Sequence, residues 1–129
     1  MSLLARKEVR ITVGAAPETK ISGSIMWVKC FKAGTTTETY TYAPGEKIDV
    51  ATGWEYSADN PTSTSKTIRM WTKGIDATRN KVLWDNSGRP WTKSIPAGGS
   101  DSGRVSDSNR ITMPSYSFTL RVELYGEIR

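Results

Sequence analysis

The C-terminal run Phe118-Thr-Leu120-Arg-Val122-Glu-Leu124-Tyr125 alternates apolar and polar residues without a break. A period of two sets Phe118, Leu120, Val122 and Leu124 on one face and Thr119, Arg121, Glu123 and Tyr125 on the other. That is the pattern of an antiparallel strand with one wet side. A helical period is missing throughout. No window keeps apolar residues at i, i+3, i+4 and i+7 over three turns, and Thr, Ser, Gly and Pro interrupt each attempt. The chain is therefore restricted to β architecture.

Shorter segments repeat the signal. Val9, Ile11 and Val13 alternate with Arg10 and Thr12. Ile25 to Phe31 is apolar on both faces, which predicts a central strand covered on both sides. Thr37 to Tyr42 is rich in Thr and Tyr, both good strand formers. Lys47 to Val50 follows the turn Ala43-Pro44-Gly45-Glu46. Thr67 to Lys73 and Lys81 to Asp85 read as two strands joined by a loop containing Lys73-Gly74, and Asn86-Ser87-Gly88 turns the chain towards Trp91. Arg110 to Met113 leads through Pro114-Ser115 into the last strand. Asn60 to Ser65 and Pro96 to Asn109, dense in Ser, Thr, Gly and Pro, are the expected flexible segments.

Seven to nine short strands separated by turn signals predict an antiparallel Greek-key β-sandwich, with a small β-barrel as the alternative. The chain has 129 residues, enough for a single domain over 1–129 with a core of its own. Cys30 is the only cysteine, so no intrachain disulfide can form, and it reads as a small core hydrophobe within its strand. Trp27 and Trp54 are assigned to the core or its rim.

Two pieces carry a resemblance. Tyr42-Ala-Pro44-Gly45-Glu46-Lys-Ile48-Asp-Val50 resembles the proline-glycine-acidic turn that precedes a strand in many immunoglobulin-like modules. Ile111-Thr112-Met113-Pro114-Ser115-Tyr-Ser-Phe118-Thr119-Leu120 is similar to the final strand pair of immunoglobulin-like domains of bacterial and archaeal surfaces and virions. The resemblance implies an adhesive, architectural or spacer role, as part of a virion, a surface layer or a larger assembly. It transfers no functional residue. The cysteine pair of antibody domains is absent.

Chemistry is constrained by what is missing. The chain has no histidine, which removes Ser-His-Asp and Cys-His nucleophilic catalysis and zinc sites built on His and Cys. Lys93-Ser94 lacks the glycines of a phosphate loop. Carboxylates fall in turns or on solvent faces, and the ligand-type run Asp101 to Asn109 has no EF-hand spacing. A non-enzymatic structural or binding module without cofactor or metal is the expectation. No apolar run is long enough for a membrane-spanning helix, so no membrane insertion is expected. Met1 to Arg10 shows no apolar leader, which points to a protein that is intracellular or part of a particle.

One asymmetry suggests where a partner binds. From Lys66 to Lys93 the chain carries Lys66, Arg69, Lys73, Arg79, Lys81, Arg89 and Lys93 against Asp76 and Asp85, which accounts for the whole net charge of +5. Trp71, Trp84 and Trp91 lie in the same stretch. With Ile68 and Met70 inward, Arg69, Trp71 and Lys73 share the outer face. Arg69, Trp71, Lys73, Lys81, Trp84, Arg89, Trp91 and Lys93 are therefore the candidate binding residues. They suit a nucleic acid or other polyanion, with rings on bases and cations along phosphates, or a polysaccharide packed on indole. Protein partners or self-association are the expectation for the architectural reading. The competing reading is structural: Trp belongs to the core, and Lys or Arg blunts a sheet edge.

Overall fold

A computed structural model describes residues 3–9 and 18–129. The strands are β1 (Lys20–Lys32), β2 (Lys47–Asp59), β3 (Lys66–Asp76), β4 (Lys81–Asp85), β5 (Trp91–Ile95), β6 (Ser100–Thr112) and β7 (Leu120–Ile128), with one 3-10 turn at Asn86–Gly88. They form two antiparallel sheets. One has the order β1-β2-β6. In the other, β3 is central, with β7 on one side and β4 and β5 sharing its other side end to end. The sheets pack face to face as a β-sandwich, as the alternation predicts.

The inner face of β2 shows how sequence becomes core. Ile48, Val50, Thr52, Trp54, Tyr56 and Ala58, at every second position, are all buried. Opposite them β3 contributes Ile68, Met70 and Thr72, and the neighbouring strands add Ile95 and Ile111. Two apolar clusters result. Trp54, Tyr56, Ala58, Ile68, Met70 and Ile95 fill one end, with Trp91, Ile21, Val105 and Leu124 against them. Ile48, Val50 and Ile111 fill the other, beside Val28, Cys30, Leu83, Trp84, Phe118 and Leu120.

A polar layer separates the clusters. Asp107 lies opposite Thr52 in the β2–β6 register, and Thr72 of the facing sheet donates to its Oδ2 at 2.5 Å. Asn86 Nδ2 reaches Asp107 Oδ2 at 3.4 Å and Asn109 Oδ1 at 3.0 Å, while Trp84 Nε1 donates to Thr72 Oγ1 at 3.1 Å. Half-burial dominates over these hydrogen bonds and pushes the Asp107 carboxyl above its ordinary value.

Several expectations need correction. Residues 100–109, read as loop, are the body of β6. Its inward positions carry Asp101, Gly103, Asp107 and Asn109 in place of apolar side chains, so hydrophobic alternation is invisible there. The segment Ile25–Phe31 belongs to an edge strand, because among the described residues β2 is the one strand that β1 pairs with, beside the single Phe31–Glu38 bridge. Its second apolar face arises because Trp27 lies across Gly53 on the outer side, where any Cβ would collide with the indole. Gly74 sits inside β3, with Trp84 packed on its bare backbone. The turn falls later, where Asp76 Oδ1 accepts from Thr78 N and Arg79 N, and Asn80 takes φ 55°. Thr37 to Tyr42 contributes only the bridge between Glu38 and Phe31. Asn60 to Ser65 is a loop, but the fully buried Asn60 anchors it, donating to the carbonyls of Thr64, Ile95 and Pro96. Val9 has no regular structure, and the rest of the strand read at Val9 to Val13 lies outside the described residues.

Candidate binding face

The outer face of the β3-centred sheet gathers the first part of the predicted site. Arg69, Trp71 and Lys73 follow one another on the outward positions of β3, half-buried, as their alternation with Ile68, Met70 and Thr72 requires. Across from them β7 places Glu127 opposite Arg69, Tyr125 opposite Trp71 and Glu123 opposite Lys73. On the other side Asp85 lies opposite Lys73.

The aromatic pair is the apolar centre of this face. Trp71 and Tyr125 stack with centroids 6.0 Å apart and planes 16° from parallel. Tyr125 keeps 40% of its surface in solvent. Its hydroxyl donates to Glu123 Oε1 at 2.9 Å, which pushes the phenol above its ordinary value. A cross-strand ring pair of this kind adds about 0.5–1.5 kcal/mol beyond its buried area, so the ridge is held in place before any ligand arrives.

The electrostatics differ from the linear sequence. Arg69 is bound to Glu127, and Arg121 Nε lies 3.6 Å from Glu123 Oε2. Four cations (Arg69, Lys73, Arg121, Arg129) share the face with three carboxylates (Asp85, Glu123, Glu127), so most of its positive charge is matched. Local hydrogen bonds from Ser87, with Lys73 nearby, hold Asp85 below the usual carboxylate range.

The remaining predicted residues go elsewhere. Trp84 lies inside, against Gly74 and Thr72, and Trp91 lies inside, with its ring 4.7 Å from that of Tyr56. Both are separated from Trp71 by the thickness of the sheet. Lys93 bridges the gap between the sheets to Asp101 Oδ2 at 3.6 Å. Tyr56 donates to the same carboxylate at 2.7 Å; burial, then this bond, pushes its phenol up to about 12. Lys81 borders a cleft with Lys47 and Arg110, and Arg89 is exposed beyond the 3-10 turn. Arg79 pairs with Asp76 at 3.8 Å and covers the Tyr116 ring. The stretch of charge is thus distributed over several surfaces.

Tyr125, Glu123 and Glu127 were missed as site residues. The alternation of 118–125 does turn Glu123 and Tyr125 outward, but nothing in it reveals that β7 lies beside β3. Among the described residues, no group of three or more cysteines and carboxylates is placed to hold a metal. No helix among the described residues is long and apolar enough to cross a membrane. No protein-family model matches the chain, and neither a curated protein nor a solved structure does.

Proposed function

We propose that the protein is a non-enzymatic binding module that holds a neutral polysaccharide on the outer face of its β3-centred sheet. The observation that carries this reading is the Trp71–Tyr125 ridge set among cations mostly matched by carboxylates. A sugar ring packs its C–H face on an aromatic surface, while its hydroxyls both donate and accept. Arg69, Lys73, Glu123 and Glu127 supply both partners at the flanks. A polyanion needs several unmatched cations to displace counterions, and this face has an excess of only one. An immunoglobulin-like lineage belongs to the same proposal. With β4 and β5 counted as one interrupted strand, the two strand orders fit an immunoglobulin-type Greek key that lacks its last strand.

Affinity electrophoresis in gels containing neutral polysaccharides tests the reading. The protein should be retarded by at least one of them with little sensitivity to salt, and Trp71→Ala and Tyr125→Ala should abolish the retardation while keeping the native circular dichroism. Retardation only by heparin or single-stranded DNA, removed by salt, would replace this reading with the polyanion one. Retardation by nothing in the panel would leave the face without a sugar ligand and overturn it.

A further inference from the structure

We infer that the N-terminal arm of a second copy of this chain adds as a strand to the edge of β7. The inference uses a different surface from the proposed sugar face. β7 pairs with β3 alone among the described residues. Arg129 and Thr67 exchange both backbone hydrogen bonds, at 2.8 and 2.7 Å. In a regular antiparallel ladder the bonded pairs recur at every second residue. Leu120, Val122, Leu124, Gly126 and Ile128 therefore turn their N–H and C=O groups away from β3. A free edge of this length is a template for another strand.

The seam beside that edge is incompletely filled. Where β1 and β7 approach at one end, a cleft of about 210 Å³ of mixed polarity is lined by Ile21, Ser22, Gly23, Met70, Leu124, Tyr125 and Gly126. At the other end a cavity of about 280 Å³ opens among Cys30, Tyr42, Val50, Ile111, Phe118 and Leu120. The Tyr42 hydroxyl is buried there without a hydrogen-bond partner among the described residues. Such an orphaned donor costs about 1–3 kcal/mol and is relieved by an incoming carbonyl.

The occupant is argued from the chain itself. Leu3, Leu4 and Val9 are 81%, 94% and 73% exposed, so in the lone chain these side chains do not lie in its own seam. From Leu3 to Val13 the odd positions read Leu, Ala, Lys, Val, Ile, Val, while the even ones after Leu4 read Arg, Glu, Arg, Thr. One face is apolar apart from Lys7, and the other is charged, which suits a strand with one side on a core and one in water. At about 3.3 Å per residue, this segment reaches about 35 Å, enough to cover the nine residues of β7. An arm given to one neighbour while the edge receives another's makes a head-to-tail contact, which closes into a ring or grows as a filament.

Three preparations test this: the full chain, a variant lacking residues 1–13, and a labelled peptide spanning residues 2–14. In light scattering the full chain should form assemblies that grow with concentration, whereas the shortened variant should be a folded monomer. The peptide should bind that monomer one to one, and Ile11→Asp in the peptide should weaken binding about tenfold or more, the cost of losing roughly 1.4 kcal/mol of apolar contact. A full chain that stays monomeric at near-millimolar concentration overturns the inference, even if the shortened variant takes up the peptide, because the arm would then fill its own seam. Assemblies that persist unchanged without residues 1–13 overturn it equally.

Discussion

The two ends of the sandwich are built from the same strands and packed differently. At the Trp54 end, six buried residues interlock, and Tyr56 fits between Gly23 and Gly103, its register neighbours on either side. At the Val50 end only Ile48, Val50 and Ile111 are buried, and the cavity of about 280 Å³ lies beside them. The difference lies in how deeply the large side chains are seated. At the first end Trp54 and Tyr56 are buried against Trp91, whereas at the second Tyr42, Trp84 and Phe118 are only partly buried and leave the Cys30–Phe118 side open. One end acts as the anchor of the fold, and the other has room for something else.

Truncation should expose that contrast most strongly. Trp54→Ala is expected to cost about 3–5 kcal/mol, and Ile48→Ala close to about 2 kcal/mol, because part of the Ile48 environment is already empty. Chemical denaturation of both variants checks the difference; equal losses would mean the two ends are packed alike. Next in size are changes at the borders of the two clusters. Asn60→Ala removes the donor shared by three carbonyls and should cost about 1–3 kcal/mol. Gly74→Ala should cost about 1–3 kcal/mol as well, by driving Trp84 out of its position.

The polar layer between the ends should respond to pH. The folded carboxyl of Asp107 is raised above 3.8, so the native state holds its proton at pH values where the unfolded chain has released it. Stability from this group is therefore present at acidic pH and lost as pH rises from about 3.8 through the folded value. Asp49, Asp85 and Asp101 are lowered and act oppositely, losing their contribution as pH falls below 3.8. Asp107→Asn should flatten the melting temperature above about pH 4 and raise it at neutral pH, as read by thermal denaturation across a pH series. An unchanged profile would show that Asp107 is solvated, and that the layer does not divide the core. The smallest effect belongs to the outer face. Trp71→Ala should cost about 0.5–1.5 kcal/mol for its stacking with Tyr125, with a small addition for the apolar area its half-buried ring gives up. A cooperative unfolding curve close to the parent's checks that the site stands apart from both clusters.

The parts of this molecule legible from sequence are those where burial is apolar and periodic. Leu120 to Tyr125 and the placing of Arg69, Trp71 and Lys73 on one face follow from alternation, and Lys81 to Asp85 from a short apolar run between turns. β6 escaped because only Val105 and Ile111 among its inward residues are apolar, and the central position expected for β1 failed because Trp27 imitates a second core. The site was half legible. Trp71 came from its own strand, but its stacking partner and the neutralising carboxylates arrive from residues 85 and 123–127. Pairing between strands distant in sequence decided the charge of the face, and composition along the chain carries no record of that pairing.

The outward row of β6, Ser100, Ser102, Arg104, Ser106, Ser108 and Arg110, has a consequence for how copies of this molecule meet. β6 is as long an edge as any here, yet its side chains offer water-loving hydroxyls and two guanidiniums engaged with Glu55 and Asp49. Exchanging hydration for backbone hydrogen bonds gains little when no apolar area is covered in return. One flank of the molecule is adhesive and the other mute, so a row of such molecules would have a front and a back.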